Sequence, residues 1–461
     1  MKMNDILRNY QKEAVEYICK HQRVILADEQ GLGKTLVSLT ALLRLMPEEP
    51  EILVFCPKTA LGTWKKEARK WFDLDSMVYS GSLVKKKRQE LWLEYKQQRP
   101  AVFIASYAMI PELLALKPRW KAIVCDEYHK AGLMNHKTRT YKNFVRLKSS
   151  FLLMLTGTPV KTGPQNLFAP LKLISSKDFS SYWRFVNTHC VIVENPFGIE
   201  IEPIPKNPSQ FKKFLAPYLI RRTKNKVLKE LPPMQRQGIY VEMTKQQKKC
   251  YEQIAETGML ETPDGLLLCA NVATRLLRLR QLLCTPQSFG YSDAGGAIEA
   301  LVDMVIDSFD AGRSVAICTP FKKCLTAIEA ALSDICESIY KIHGDMKEMP
   351  SEISKQFQED KKKKKAILFT ITSGMSWDAY SANDIYFVGA EWAATDNAQA
   401  ESRIHRLGQE LPTTAYYILY PDTIDDALVE MLDRKTIAAN WVLETDYMLQ
   451  LLEKQRKKIK K

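Results

Sequence analysis

The feature that most constrains the fold of this chain is an alternation of short apolar runs with amphipathic stretches, which occurs twice. Runs such as Arg23–Ala27 and Ile52–Cys56 have the length of buried strands, and Thr35–Leu45 has helical periodicity. The remaining apolar runs of the first half are Ala101–Ala105, Ala122–Cys125 and Leu152–Leu155. Strands that alternate with helices predict a mainly parallel sheet with helices on both faces.

The alternation stops at about Thr162 and returns after Gln287. The region between has few strand signals, and its helical patterns are broken by prolines at Pro196–Pro208 and Pro232–Pro233. The later apolar runs indicate a second parallel sheet: Val315–Cys318, Ile339–Ile342, Ala366–Ile371, Ile385–Val388 and Thr414–Leu419. The sequence therefore predicts an α/β fold with two sheet-based lobes and helical insertions.

Charge and composition narrow the class of partner and compartment. The 461 residues carry a formal net charge of +14, which favours a polyanionic partner, although a general solubility charge explains the same excess. The ten cysteines are scattered without a CxxC pair, which argues against a zinc site and a disulfide scaffold. Neither a signal peptide nor an apolar run of ~18 residues is evident. We expect a soluble cytoplasmic protein, nuclear if the source is eukaryotic, with no membrane partner.

A glycine-rich segment, Asp28–Thr35, follows the first predicted strand and opens a helix. Its glycines let the backbone wrap around phosphate, and the helix N-terminus supplies N–H donors. Lys34 is placed to reach the β- and γ-phosphates and Thr35 to hold Mg²⁺. The strict phosphate-loop pattern fails because Asp28 occupies its first glycine position, so a glycine-rich helix start is the alternative.

An acidic pair, Asp126 and Glu127, follows the run Ala122–Cys125. The carboxyl end of a parallel strand lies on the ligand-binding edge of its sheet. Asp126 can bind Mg²⁺, and Glu127 can orient and deprotonate an attacking water. Such a pair alone is usually just solvated. A phosphate loop about 90 residues upstream makes ATP hydrolysis the stronger interpretation.

Two further segments indicate a function only when they are considered together with the phosphate loop and the acidic pair. Leu155–Pro159 ends another predicted strand and is either a simple turn or a link, through Thr156 and Thr158, between the acidic pair and nucleic acid. Arg403 and Arg406 are three residues apart on a predicted helix and share a face. They form either an ordinary basic helix or a pair that stabilises charge on a transferred γ-phosphate.

The order of these segments resembles the Swi/Snf-type ATPases, the DNA-translocating branch of the superfamily 2 helicases, from about Leu7 to Leu432. Leu7–Gln11 is similar to the family's adenine-recognising glutamine motif, and Asp28–Thr35 to its first motif, which Asp opens. Asp126–His129 is similar to the acidic box. Further similarities lie at Leu53–Trp64, Leu155–Pro159, Ser181–Phe185, Leu219–Lys224, Leu228–Pro233 and Leu276–Gln281. Generic RNA helicases lack the blocks from Ser181 onward.

The resemblance implies two RecA-like lobes. The first spans residues 1–225, with a helical protrusion at about 161–218. The second spans 226–435, with a helical insertion at about 244–287, and residues 436–461 form a bracing helix and a basic tail. No bromodomain-like, chromodomain-like or zinc module is evident, which favours a minimal bacterial or viral motor.

The resemblance also implies ATP and Mg²⁺ as cofactors and double-stranded DNA as the partner of a monomeric motor, held mainly through its phosphates. Expected nucleotide-binding residues are Gln11, Asp28, Gly31, Leu32, Gly33, Lys34 and Thr35. Expected catalytic residues are Lys34, Asp126, Glu127, Arg403 and Arg406, with Thr35 and Asp126 as Mg²⁺ ligands. Candidate DNA contacts, for which packing or capping stays open, are Ser106, Tyr107, Thr156 and Gly374.

The predicted function is ATP-driven movement along double-stranded DNA. A strand-separating or annealing helicase, including an RNA-directed one, stays open, as does an ATP-switched clamp with little turnover. The chain departs from the family at Gln30, where methionine is usual, and at Tyr128, where a small residue is usual. It also departs in Gly374–Tyr380, where Trp377 and Asp378 replace small and apolar residues, so the coupling of ATP to DNA through this segment stays open.

Overall fold

The computed structural model describes residues 6–116, 119–195, 198–346, 348–373, 377–430 and 432. The chain divides into two compact units, of which unit 1 ends at Val227 and unit 2 begins at Leu228. The predicted bracing helix at 436–461 and the candidate DNA contact Gly374 lie outside the described residues. In the described part of the chain, no helix has the length and apolar character to cross a membrane.

Unit 1 is built on a seven-stranded sheet in which every neighbouring pair is parallel. Its strands and those of a separate hairpin are β1 Arg23–Leu26, β2 Ile52–Cys56, β3 Ser76–Tyr79, β4 Val102–Ser106, β5 Arg119–Asp126, β6 Lys148–Leu155, β7 Cys190–Asn195, β8 Gly198–Pro205 and β9 Leu219–Ile220. The sheet order is β3-β4-β2-β5-β6-β1-β9, and β7 pairs with β8 antiparallel.

Helices cover both faces of this sheet, because side chains alternate between two cores along each central strand. In β2, Leu53 and Phe55 enter one core, and Ile52, Val54 and Cys56 enter the other. The helices are α1 Asn9–His21, α2 Lys34–Leu45, α3 Leu61–Phe72, α4 Lys85–Gln98, α5 Ile110–Leu116, α6 Arg139–Phe144, α7 Phe168–Ile174, α8 Tyr182–His189, α9 Pro208–Leu215 and α10 Lys224–Val227.

Unit 2 has a six-stranded parallel sheet and a separate antiparallel hairpin. Its strands are β10 Met234–Tyr240, β11 Met259–Thr262, β12 Gly265–Leu268, β13 Val315–Thr319, β14 Ser338–Ile342, β15 Lys365–Thr370, β16 Asp384–Val388 and β17 Thr413–Leu419. The sheet order is β10-β17-β16-β13-β15-β14. Its helices are α11 Lys245–Thr257, α12 Val272–Cys284, α13 Gly296–Asp310, α14 Lys322–Leu332, α15 Pro350–Glu359 and α16 Ala394–Ile404.

The two parallel sheets confirm the predicted α/β class with two RecA-like lobes. The interval between Thr162 and Gln287 is less helical than predicted, because it also contains the hairpins β7–β8 and β11–β12 and the sheet strands β9 and β10. Of these elements, β8 and β10 lack the continuous apolar run that marks a buried strand. β10 is an edge strand whose residues are exposed or half-buried, so its polar sequence gave no strand signal.

Candidate nucleotide site

Three of the predicted motifs lie together at one edge of the unit 1 sheet. Strand β6 pairs in parallel with both β1 and β5, so the three strands end side by side. Leu155 of β6 lies opposite Leu26 on one side and Asp126 on the other. The phosphate loop, the acidic box and the segment from Thr156 to Pro159 start from these ends, which is where parallel sheets bind ligands.

The phosphate loop has the backbone conformation that its glycines permit. Gly31 has φ 84° and Gly33 has φ 79°, both in the left-handed region that side chains disfavour. Gly33 stands directly before the first residue of α2, and its neighbour Leu32 is fully buried. Gln11 lies against the loop and donates its Nε2 hydrogen to the Leu32 carbonyl at 3.2 Å. A Cβ on Gly33 would come within 2.5 Å of Gln11 Nε2, so a side chain there would displace the Gln11 amide from the loop.

The two residues that follow these glycines begin α2. Lys34 donates from its Nζ to the main-chain oxygens of Asp28, at 2.9 Å, and Glu29, at 3.5 Å. Thr35 is half-buried in the first turn of the helix. A helix N-terminus, left-handed glycines and a lysine directed at the loop together fit a nucleotide phosphate.

The side chain of Asp28, a predicted nucleotide-binding residue, is paired with an arginine of the protein. Its fully buried carboxylate forms an ion pair with Arg222, whose main-chain N and Nε both donate to Oδ1 at 3.0 Å. Arg222 also donates to the carbonyl of Tyr10. The carboxylate is therefore used within the protein, because a buried carboxylate needs this charged partner, and the part of Asp28 in nucleotide binding stays a prediction. Asp28 instead fixes the phosphate loop to the chain after β9.

Asp126 of the acidic box is held from two sides. Trp64 on α3 donates its indole hydrogen to Asp126 Oδ2 at 2.8 Å, and Tyr107 donates to the Asp126 carbonyl at 2.7 Å. Burial, and then the negative charge of Glu127, raises the pKa of Asp126 to about 7. A bound cation would favour the ionised form of this carboxyl group.

Glu127 has the opposite behaviour in the same buried environment. Burial alone would raise the pKa of Glu127. The neighbouring His129 and the positive charge of Lys34 lower it by a larger amount, so the pKa lies below its usual range. Glu127 also has a left-handed backbone with φ 48°, which is unusual for a residue with a side chain. Two adjacent carboxyl groups with pKa values moved apart suit one ionised base and one cation ligand.

The acidic pair also offers carboxylate oxygens, which are the ligands that a hard cation such as Mg²⁺ prefers. Glu127 Oε2 is buried and accepts no hydrogen bond from the described residues. His129 Nδ1 lies 3.1 Å from this oxygen, but its hydrogen-bonding partner is the closer Thr156 hydroxyl. No three His, Cys, Asp or Glu side chains of the described residues cluster to hold a metal. Mg²⁺ bound with a nucleotide needs only one or two carboxylates, because phosphates and water supply its other ligands.

Thr156 links the acidic box to the segment that follows β6. Its Oγ1 lies 2.8 Å from His129 Nδ1 and accepts a hydrogen bond from the Thr158 main-chain N at 2.9 Å. Its side chain is fully buried. The structure therefore shows a role within the site for the Thr156 hydroxyl, which is the alternative left open, and its contact with DNA stays a prediction.

The two other described candidates for DNA contact, Ser106 and Tyr107, lie at the end of β4 and directly after it. Ser106 is buried at the end of β4. Tyr107 uses its hydroxyl on Asp126, and its ring stacks on Phe55 with 5.8 Å between centroids. Ser106 is buried and the Tyr107 hydroxyl is used within the protein, so the structure shows packing, the alternative left open, and contact with DNA stays a prediction for both.

Two residues of the site were not assigned a role from sequence. Arg221 donates to the carbonyls of Ala27, at 3.2 Å, and Gly157, at 3.1 Å, and so connects the ends of β1 and β6. Trp64 holds Asp126, although the sequence placed it only in a helix. The available signals were two consecutive arginines after a short apolar run and an indole N–H on the buried face of α3.

The two predicted phosphate-facing arginines lie in unit 2 in different environments. Arg403 is buried, donates to the Trp377 carbonyl at 2.7 Å and lies 4.9 Å from the Trp377 ring centroid. Arg406 lies beyond Ile404, the last residue of α16, and forms an ion pair with Asp378. The prediction that they share one helical face is therefore wrong, because the helix ends between them.

The fold and the site define an α/β protein with two parallel sheets and a phosphate loop at one sheet edge. A family profile described as SNF2-related domain matches residues 10–288, and the chain belongs to that family, which confirms the resemblance to Swi/Snf-type ATPases.

Individual relatives are distant. A CHD3-type chromatin-remodeling factor, CHR7 of Arabidopsis thaliana, is 25% identical over 96% of this chain and 38% of its own length. An uncharacterized ATP-dependent helicase of Mycoplasma pneumoniae is 26% identical over 93% of this chain and 41% of its own length. The chain thus spans less than half of these relatives. The Sulfolobus solfataricus SWI2/SNF2 ATPase core in complex with dsDNA is 20% identical, with a TM-score of 0.44, over 95% of this chain and 93% of that one.

Proposed function

We propose that this protein is a DNA-dependent ATPase that moves along double-stranded DNA. The observation that carries the proposal is the single sheet edge where Lys34, Asp126 and Glu127 meet. A loop suited to phosphate lies there beside two buried carboxyl groups with opposite pKa shifts. Phosphoryl transfer depends on positioning and charge, which this arrangement supplies.

Each residue has a distinct part in the proposed hydrolysis. The main chain of Gly31–Gly33 and the Lys34 amine bind the phosphates, and Thr35 and Asp126 would hold Mg²⁺. When bound, Mg²⁺ neutralises charge on the phosphates. Glu127 is ionised at neutral pH because its pKa is low, so it orients a water and accepts its proton. In this proposal Arg403 and Arg406 of unit 2 stabilise charge on the γ-phosphate during turnover.

Duplex DNA as the track is supported by charge and by the family. The net charge of +14 favours a polyanion, and backbone phosphates give contacts without sequence preference. The relatives are named as a chromatin-remodeling factor and a helicase. We propose a monomeric motor of the cytoplasm, or of the nucleus in a eukaryote.

The test compares steady-state ATP hydrolysis with duplex DNA, single-stranded DNA and RNA, with Lys34→Ala as the inactive control. We expect duplex DNA to stimulate most, and the protein to displace the third strand of a DNA triplex without separating the duplex. Separation of the duplex would favour the helicase alternative. ATP binding without stimulated turnover would favour the clamp.

A further inference from the structure

The chain departs from its family at Trp377 and Asp378, which lie in unit 2 and have defined contacts there. The Trp377 side chain is buried, donates to the Ser373 carbonyl at 3.0 Å and packs edge-on against Phe369 at 4.8 Å between centroids. The Arg403 guanidinium lies over the Trp377 ring and donates a hydrogen bond to the Trp377 carbonyl, as described above. Trp377 and Arg403 therefore act together as an internal support.

The main chain of Asp378 is held by hydrogen bonds to α15, which leaves its carboxylate for another partner. Ser354 Oγ donates to the Asp378 carbonyl at 2.6 Å and accepts from the Asp378 main-chain N at 3.1 Å. Gln358 Nε2 donates to the same carbonyl at 3.0 Å. Both of these residues lie on α15, so the position of Asp378 is set by a regular element.

The carboxylate of Asp378 binds Arg406. Both side chains are partly exposed, at 34% for Asp378 and 37% for Arg406. Among the described residues, Asp378 is the one acidic partner of the Arg406 guanidinium. Arg403, in contrast, is 8% exposed and committed to Trp377. Of the two arginines, Arg406 is thus the one whose side chain is the more exposed in this structure.

We propose that Asp378 is a positioning residue that holds Arg406 when the terminal phosphate of a nucleotide is absent, and that the γ-phosphate of ATP displaces it. The inference rests on the proposed role of Arg406 in ATP hydrolysis. An exposed ion pair of this kind changes an equilibrium by a factor of only roughly 1.5 to 5, so it can yield to a phosphate, which offers more charge and more oxygens. Asp378 therefore competes with the γ-phosphate for one guanidinium group.

The variant Asp378→Asn tests this competition because it removes the charge while keeping the size of the side chain. We expect its kcat/KM for ATP without DNA to rise roughly two- to fivefold, the range of an exposed ion pair. Its affinity for ADP should not change, because ADP has no γ-phosphate. The ratio of ATP to ADP affinity is a readout that a merely structural role of Asp378 would not move.

Asp345→Asn is the matched control. It removes the same charge from another exposed ion pair of unit 2, with Lys322, and it should leave both affinities at the wild-type value. Asp378→Ser is a second neutral variant that tests the same charge if the asparagine variant does not fold. An unchanged ATP-to-ADP ratio in the folded Asp378 variant, or a fall in kcat alone, overturns the inference.

Arg406→Ala separates this inference from the proposed function. If it hydrolyses ATP normally, the role of Arg406 in turnover is wrong, and the inference is lost with it. If it is inactive while Asp378→Asn keeps the wild-type ATP-to-ADP ratio, only the competition is overturned. In the double variant Asp378→Asn/Arg406→Ala, we expect the ratio of Arg406→Ala alone.

Discussion

At the scale of single residues, the site depends on two neighbouring carboxyl groups with different environments. At Asp126, burial and the negative charge of Glu127 outweigh the Trp64 hydrogen bond and the positive charge of Lys34, and the pKa is raised to about 7. Glu127 has His129 and Lys34 nearby, and its pKa is lowered. One acidic dipeptide can therefore supply a cation ligand and a base, since environment decides the role of each carboxyl group.

The raised pKa of Asp126 predicts a pH-dependent stability. Because the folded protein holds this proton more tightly than the unfolded chain does, its free energy of unfolding should fall as pH rises from about 4 to about 7. In Asp126→Asn the side chain does not titrate, so this decrease in the free energy of unfolding should be absent. We expect the free energy of unfolding of the variant to exceed that of wild type by up to roughly 4 kcal/mol at pH 8, since a rise from 3.8 to about 7 is about three pKa units and one unit is about 1.4 kcal/mol.

Urea denaturation at pH 5 and pH 8, without nucleotide or Mg²⁺, measures this difference. Asp73→Asn, in which an exposed carboxyl group of unit 1 is neutralised, is the control and should follow wild type. A variant at Asp126 with the wild-type pH dependence would contradict the pKa assigned to that residue.

Trp64 gives a second prediction at this scale. Its hydrogen bond to Asp126 favours the ionised carboxylate and lowers its pKa. Trp64→Phe removes the donor, so the acidic limb of the pH profile of kcat/KM should move to higher pH by about one unit. ATP hydrolysis measured from pH 5.5 to 9 checks this shift, and an unchanged limb would show that Asp126 does not set it.

At the scale of elements, the end of β9 binds the phosphate loop into place. Arg221 connects the ends of β1 and β6, and Arg222 holds Asp28. These arginines follow a two-residue edge strand, yet they determine where the loop lies. The loop conformation thus depends on a segment far from it in sequence.

Asp28→Ala should therefore destabilise unit 1 by roughly 3–5 kcal/mol, because it leaves the Arg222 guanidinium buried without its carboxylate. Glu16→Ala is the contrasting control. It breaks an exposed ion pair with Arg44, and the expected change is roughly 0–1 kcal/mol. Urea unfolding followed by the fluorescence of unit 1 tryptophans measures both, and equal effects would contradict a structural role for Asp28.

Sequence predicted the central strands well, but of the four edge strands it predicted β14 and missed β3, β9 and β10. β2 and β13 are buried along their whole length, so their apolar runs identified them. β3 and β10 lie at sheet edges, and their mixed sequences carry less signal.

The same limit applies to the site. The position of Glu127 followed from its place after a strand, but Asp28 and Arg222 are 194 residues apart, and no local pattern reveals such a pair. The direction of the Thr156 side chain likewise depends on His129, a tertiary contact that spacing along the chain does not specify.

At the scale of the whole molecule, the chain has two compact units and an excess of positive charge. Lysine and arginine number 67 against 53 acidic residues. If duplex DNA binds mainly through phosphates, binding must release counterions, and the apparent affinity should fall linearly with salt on a double-logarithmic scale. Half-maximal DNA concentrations for ATPase stimulation between 50 and 200 mM salt measure this. A flat dependence would contradict recognition of the backbone.

The central claim is that the acidic box of unit 1 hydrolyses ATP in response to duplex DNA, and Glu127→Gln tests it most directly. The variant keeps the size of the side chain and loses the base. The measurement is duplex-stimulated ATP turnover beside ATP binding, with Glu13→Gln on the exposed face of α1 as the matched control. We expect turnover to fall by about 10²–10⁴-fold with ATP binding retained. Turnover close to wild type in Glu127→Gln would contradict the account.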